Sequence, residues 1–285
     1  MTRRKRERRC GSAQPETIPD IPSPRRTSDT RRLWRCAAHL PAAAAGVLVL
    51  GAAGPGPAAS PFPFRGGEMC VYRASGGTAL SGSGTLGVDG PGELRGREAY
   101  LLRFDFTGRV GPVHLESHSR SWLDPSDTAS LRFTKVETAP LVTHRQEVWM
   151  DGGKRRWTGM NGAGGAMLTG DPLDDLSLVY YLRTLKLGDG DSLSVARHYN
   201  AARDPVTIRV LGRGELRVQA GLFRAVEVEM RLRNPSRGGG QEVSRIHFTD
   251  DARRLPLRLE SKIPLAGNVV LELQALSRTC GVVAE

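Results

Sequence analysis

The chain has 285 residues, with 41 Lys or Arg against 30 Asp or Glu and a net charge of +11. That length allows one large domain or two small ones. The charge is unevenly placed: residues 1–36 hold 11 of the basic and 4 of the acidic groups, leaving 30 against 26 in the rest. Basic and acidic residues that alternate along strands make a solvated face, so the composition argues against a nucleic-acid partner.

Residues 1–36 are read as a basic, unstructured leader. Residues 37–54, AAHLPAAAAGVLVLGAAG, are small and apolar, but too short and too rich in Ala and Gly for a membrane span of about 20 residues. They precede GPGPAAS, where Gly56-Pro57-Ala58 or Pro57-Ala58-Ala59 suits a signal peptidase. Basic, then apolar, then small is the order of a secretory signal, so 37–59 are taken as its apolar region and cleavage site. Thr30-Arg31-Arg32-Leu33-Trp34 is a loose twin-arginine match. No lipoprotein cysteine follows the run. The chain is expected to be exported to the periplasm, touching a membrane only through an uncleaved signal. Cys70 and Cys280 then lie in the first and last strands of the mature chain. In an oxidising compartment they are expected to pair, closing a loop whose cross-link contributes about 4–5 kcal/mol; two unrelated buried thiols are the alternative.

Residues 60–67 read as a linker and 68–280 as one antiparallel β domain. Tyr100, Leu102, Phe104 and Phe106 recur at period two and share a strand face. Strands follow at Val113–Trp122, Leu131–Glu137 and Gln146–Asp151, with Asp151-Gly152-Gly153 as a hairpin turn into Lys154–Thr158. Residues 159–170 are Gly-rich and read as a loop. Asp171 to Gly188 is the one convincing helix, 172–187: Asp171 caps it, Pro172 suits its first turn, and Gly188 ends it. Leu173, Leu176, Val179, Tyr180 and Leu187 form an apolar stripe that Leu178, Leu182 and Leu185 widen, so this helix must be covered on more than one side. Beyond it, strands are expected at Ser192–Tyr199, Val206–Leu211, Glu215–Gln219, Leu222–Arg233, Val243–Thr249, Leu255–Leu259 and Val269–Ala275. In the longest, Val226, Val228, Met230 and Leu232 face in while Glu227, Glu229, Arg231 and Arg233 face out. Consecutive short strands pair antiparallel, and so many must curl. The expected fold is all-β with one main helix: a curved antiparallel sheet closing into a barrel or half-barrel around that helix.

DDLSLVYYLRTLKLGDG, GLFRAVEVEM, DDARRLPLRLESKI and VVLELQAL together resemble an uncharacterised family of exported bacterial proteins known only as a domain of unknown function. Its Gly-x-Phe strand matches Gly221-Leu222-Phe223, and its Asp-x-x-x-Leu-Pro turn matches Asp251 to Pro256. The resemblance runs from about Phe64 to Leu276 and is strongest after Asp171. It implies secretion and an all-β fold, and brings no catalytic residues. It also favours a paired role for Arg183, with Asp251 or Glu227 as partner, over a side chain that snorkels to a wet edge.

Direct signals of chemistry are sparse. His114, Glu116 and His118 share a strand face; neighbours about 7 Å apart could share a metal, but the two histidines, about 13 Å apart, could not. Asp171, Asp174 and Asp175 could offer paired carboxylates, but helix capping accounts for them. His144, His198 and His247 stand alone. No nucleophile elbow, phosphate loop, dinucleotide fingerprint or zinc-protease motif occurs, so no cofactor is expected. The expectation is a non-enzymatic envelope protein binding a lipid or other apolar ligand. An assembly module with an envelope protein partner is the alternative, and a hydrolase the remote one. Asp171, Leu176, Val179, Tyr180 and Arg183 are expected to fix helix against sheet.

Overall fold

The computed structural model describes residues 62–77, 79–235, 240–263 and 267–275. The leader, the apolar run with its cleavage site, and Cys280 lie outside them. The strands are β1 (Met69–Gly76), β2 (Leu80–Leu94), β3 (Arg97–Val110), β4 (Val113–Asp124), β5 (Ala129–Ala139), β6 (Val142–Asp151), β7 (Arg156–Gly159) and β8 (Gly164–Ala166). Helix α1 (Asp175–Thr184) follows, then β9 (Ser192–Val195), β10 (Val206–Val218), β11 (Gly221–Asn234), β12 (Gly240–Thr249), β13 (Pro256–Ile263) and β14 (Gly267–Ala275). They make one 14-stranded sheet in the order β8-β7-β6-β5-β4-β3-β2-β1-β14-β13-β12-β11-β10-β9. Each half is a meander, and β1 joins them by pairing with β14, Val71 opposite Ala275. The sheet stays open. Its edges, β8 and β9, are only three and four residues long, which limits the backbone offered to another chain.

Alternation puts one face of each strand inward. Val88, Leu102, Ser121, Phe133 and Val148 form a continuous cross-strand row, each buried. Val226, Val228, Met230 and Leu232 face the same hollow from β11, as their spacing predicts. The opposite face carries ion pairs: Arg120 and His118 on Asp105, Arg231 and Arg245 on Glu229, Arg258 on Glu260 and Glu272. Register shifts between Val71 and Tyr72, Asp89 and Gly92, Trp122 and Leu123, Val210 and Gly212, and His247 and Phe248 bend the strands. Bulges of this kind raise local twist, which lets so wide a sheet curl into a half-barrel. The β2–β3 turn uses Arg95 and Gly96, both at positive φ (52° and 78°), the pattern that matches strand twist in a two-residue hairpin.

The helix lies in the hollow at the end carrying the β2–β3, β4–β5 and β12–β13 turns; the β1–β2, β3–β4 and β5–β6 turns lie at the far end. Leu178 and Leu182 are fully buried, and residues from β1 through β14 join them in one core. Full burial of each such leucine is worth about 1.5–3 kcal/mol. The helix is shorter than the 172–187 expected. Leu173 is held in an isolated bridge with His198, and the Pro172 carbonyl accepts the Ser130 amide, so the chain is extended until Asp174. Asp174, and not Asp171, is the N-cap. At the other end Leu185 turns extended (φ −77°, ψ 143°), so Gly188 does not terminate the helix. The expected loop 159–170 includes edge strand β8, and the strands expected at 206–211 and 215–219 are one strand interrupted by the bulge at Leu211. From Phe62 onward, the segment taken as a linker packs on the core: Phe64 is buried, with its ring 5.0 Å from Tyr180 and 6.1 Å from Tyr100.

Candidate functional site

Two polar clusters anchor the helix in the hollow. The first is its cap. Asp174 Oδ1 accepts the amides of Leu176 and Ser177, both at 2.9 Å, and Ser177 Oγ accepts the Asp174 amide at 2.8 Å. This reciprocal box satisfies the free donors of the first turn. Two strands complete it: Ser121 Oγ on β4 donates to Asp174 Oδ2 at 2.6 Å, and Ser130 Oγ on β5 donates to Ser177 Oγ at 2.7 Å. Burial pushes the Asp174 carboxyl up despite these hydrogen bonds.

The second is Arg183, near the helix C-terminus, where a cation suits the dipole. Its guanidinium is bidentate on Glu68, with Nη1 to Oε1 at 2.6 Å and Nη2 to Oε2 at 3.0 Å. Nη2 also donates to the carbonyls of Pro63 and Arg253, both at 3.1 Å. The two side chains are 1% and 6% exposed, so the pair is almost wholly desolvated. The paired role therefore holds, but the partner is Glu68, not Asp251 or Glu227. Asp251 accepts from Thr249 and Arg253 in the β12–β13 turn, and Glu227 lies on the outer face near His247. Tyr180 Oη reaches the Gly87 carbonyl and Tyr72 Oη the Pro256 carbonyl, so the aromatic packing around Arg183 is also tied to both halves of the sheet.

Beside the cap, the inner face turns polar. Arg203 spans the hollow, with Nη1 on Asp175 at 2.5 Å and Nη2 on Glu242 of β12 at 2.7 Å. His198, fully buried, takes the Asn200 amide on Nδ1 at 3.0 Å and faces Asp175 Oδ1 with Nε2 at 3.3 Å. Both ring nitrogens are thus engaged. Burial pushes the Asp175 carboxyl up, but the His198 hydrogen bond and the Arg203 charge outweigh it and hold it well below the usual carboxylate range. Gln146 Nε2 donates to Tyr199 Oη at 2.6 Å, and Lys135 pairs with Glu137 at 2.8 Å on the same face.

The residues singled out from sequence divide accordingly. Leu176, Tyr180 and Arg183 meet the sheet as expected, and Val179 is partly buried against it. Asp171 instead accepts from Thr169 and Arg197 outside the helix. His114 and Glu116 are exposed at the far end of β4, while His118 Nδ1 lies 2.7 Å from Asp105, which Arg120 shares. Among the described residues, no three His, Cys, Asp or Glu side chains converge as metal ligands would. Cys70 is buried on the inner face of β1; its expected partner Cys280 lies outside the described residues. A cavity of about 200 Å³ opens beside Gly212, Gly214, Ala225, Glu227 and His247, away from the helix. Glu68, Ser121, Ser130, Arg203 and Glu242 were missed from sequence. Each meets its partner only through the tertiary fold, Glu68 from the segment before β1 and Arg203 from the turn before β10, and no local motif marks it.

The chain is thus an open antiparallel half-barrel plugged by its own helix. Residues 71–274 match the model of a family described as protein of unknown function (DUF3108), and the chain belongs to that family. No curated protein matches it. Among solved structures it is similar to a beta-barrel-like protein of domain of unknown function DUF1849 from Brucella abortus, at 10% identity and a TM-score of 0.48, over 73% of this chain and 95% of that one. It is also similar to a protein provisionally described as a lipoprotein from Parabacteroides distasonis (10% identity, TM-score 0.28, 76% and 98% covered). A third is a protein provisionally described as exported, with a YmcC-like fold, from Bacteroides fragilis (10%, 0.27, 76% and 98%). Likeness at this level carries no argument about function.

Proposed function

We propose that this is an exported, non-enzymatic envelope protein that acts through its outer surface and rims as a docking module, and not by carrying a ligand in its hollow. The observation that supports this is the plug. Tyr72, Tyr180, Phe133, Leu102, Leu123, Leu178 and Leu182 are each at most 2% exposed, and they occupy the space that an acyl chain would need. A carrier would also have to displace the Arg183–Glu68 pair, leaving a desolvated charge without its partner. Export rests on the basic, apolar and small order of residues 1–59. Organic extraction of the purified chain followed by mass analysis tests the reading. No stoichiometric lipid is expected, with co-purification of an envelope component after cross-linking in cells; one lipid released per chain would overturn it.

A further inference from the structure

The far end of the half-barrel carries a feature that the fold does not require. The β5–β6 hairpin turns through Ala139-Pro140-Leu141-Val142, and Leu141 sits at φ 66°. That is the third position of a turn where Gly or Asn is normally found, because a side chain there is strained. Leu141 is nonetheless fully exposed, and Val142 is 63% exposed. The neighbouring β3–β4 tip, Val110-Gly111-Pro112-Val113, leaves Val113 36% exposed. Glu116 faces Thr138, so both tips end at the same level, about 10 Å apart across two strand spacings.

Basic side chains surround this apolar pair of tips. Arg109, Arg145, Arg233 and Lys262 are exposed at strand ends on the same rim, and none has an ion-pair partner among the described residues. Several arginines at mid-sheet, by contrast, are paired: Arg120 with Asp105, Arg231 with Glu229, Arg258 with Glu260. Arg73 and Arg209, however, are exposed without such a pair among the described residues. The acids of the β3–β6 tips are Glu116, exposed, and Glu137, already held by Lys135. Protruding apolar tips set among unpaired cations are the complement of an anionic bilayer: the aliphatic groups enter the interface and the basic heads stay with lipid phosphates. We infer that this rim docks on an anionic membrane surface, with Leu141, Val142 and Val113 inserted and Arg109 and Arg145 beside them. Both described ends of the chain, at Phe62 and Ala275, leave from the opposite end, so a membrane on this rim leaves them unobstructed.

The inference deepens the surface-docking reading by naming a partner. Its failure differs from the failure of that reading, which would be a lipid released from the hollow. The test is hydrogen–deuterium exchange of the full chain with vesicles of phosphatidylglycerol and phosphatidylethanolamine, against vesicles of phosphatidylcholine alone. Protection is expected in peptides covering 136–146 and 107–116 on the anionic vesicles only, with the turn at 152–155 unchanged. Replacing Leu141 and Val142 together by Asp should remove it, lowering vesicle affinity about tenfold or more. R109Q with R145Q should weaken it and flatten its salt dependence. No protection at these tips, or equal protection on both vesicle types, would overturn the proposal.

Discussion

Removing Glu68 puts the strongest demand on the plug. In Glu68→Ala the Arg183 guanidinium keeps its two carbonyl contacts but loses both carboxylate contacts, at a site where its side chain is 1% exposed. Water cannot replace them without opening the packing of Phe64 and Tyr180 over the guanidinium, whose rings lie 5.3 and 5.5 Å from it. Breaking one side of such a pair costs about 3–5 kcal/mol. With a urea m-value of about 2–3 kcal/mol per molar, the unfolding midpoint should fall by roughly 1.5 M. Glu68→Leu combined with Arg183→Met removes both charges at similar volume, so it should recover most of the loss, apart from the Pro63 and Arg253 carbonyls left without a donor. The double-mutant cycle should therefore show a coupling of about 2 kcal/mol or more. A loss below about 1 kcal/mol for Glu68→Ala, or a double variant no better than the sum of the singles, would refute the reasoning.

The other expectations follow from the same contacts. Asp174→Ala removes the cap and strands the donors of Ser121, Leu176 and Ser177, so thermal unfolding should show a loss of at least about 1–2 kcal/mol, with Asn recovering part of it. Asp175 is held low in the fold, so its contribution is present above the unfolded carboxylate range and is lost as pH falls below about 4; in an acid titration of stability, Asp175→Asn should flatten that limb. Asp174 has the opposite sign, its raised carboxyl favouring the fold at low pH and losing that contribution as pH rises, so Asp174→Asn should steepen the acid limb. Alkylation without reductant, followed by intact mass, should leave Cys70 and Cys280 unmodified, because the β1–β14 seam brings Ala275 opposite Val71, next to Cys70. Leu141→Asn relieves the positive-φ strain and should leave stability unchanged or raise it by about 1 kcal/mol in urea titrations.

How much of this was legible in the sequence depends on the range of the interaction. Period two in Tyr100–Phe106 and Val226–Leu232 identified inward residues because alternation is a property of a single strand. The helix was found, but its start was misplaced by three residues. Asp171, Asp174 and Asp175 are equally good caps locally, and the choice falls to Asp174 because Leu173 is held extended against His198 and because Ser121 meets the Asp174 side chain. Strand β2, SGSGTLGVDGPG in its centre, has the composition of a loop. Gly82 is there because strands crowd: a Cβ on it would lie 2.4 Å from the Thr107 carbonyl oxygen. Glu68 could not have been chosen as the partner of Arg183, since the two are 115 residues apart and meet only after both halves of the sheet have curled.

The seam explains why the plug is built from those particular segments. Pairing β1 with β14 brings both described ends of the chain to the helix end of the half-barrel. The entering segment therefore crosses the helix C-terminus, and there it supplies Phe64, the Pro63 carbonyl and Glu68 to Arg183. An open sheet of 14 strands has no closed wall to hold a helix in place, and apolar packing alone would let the helix slide along the hollow. Two polar anchors, Asp174 to β4 and β5 at one end and Arg183 to the entry segment at the other, fix its position along the axis, because any shift leaves buried groups unsatisfied. On the proposed docking reading, the surfaces that act are the ion-paired convex face and the far rim, where the fold carries an exposed leucine at positive φ.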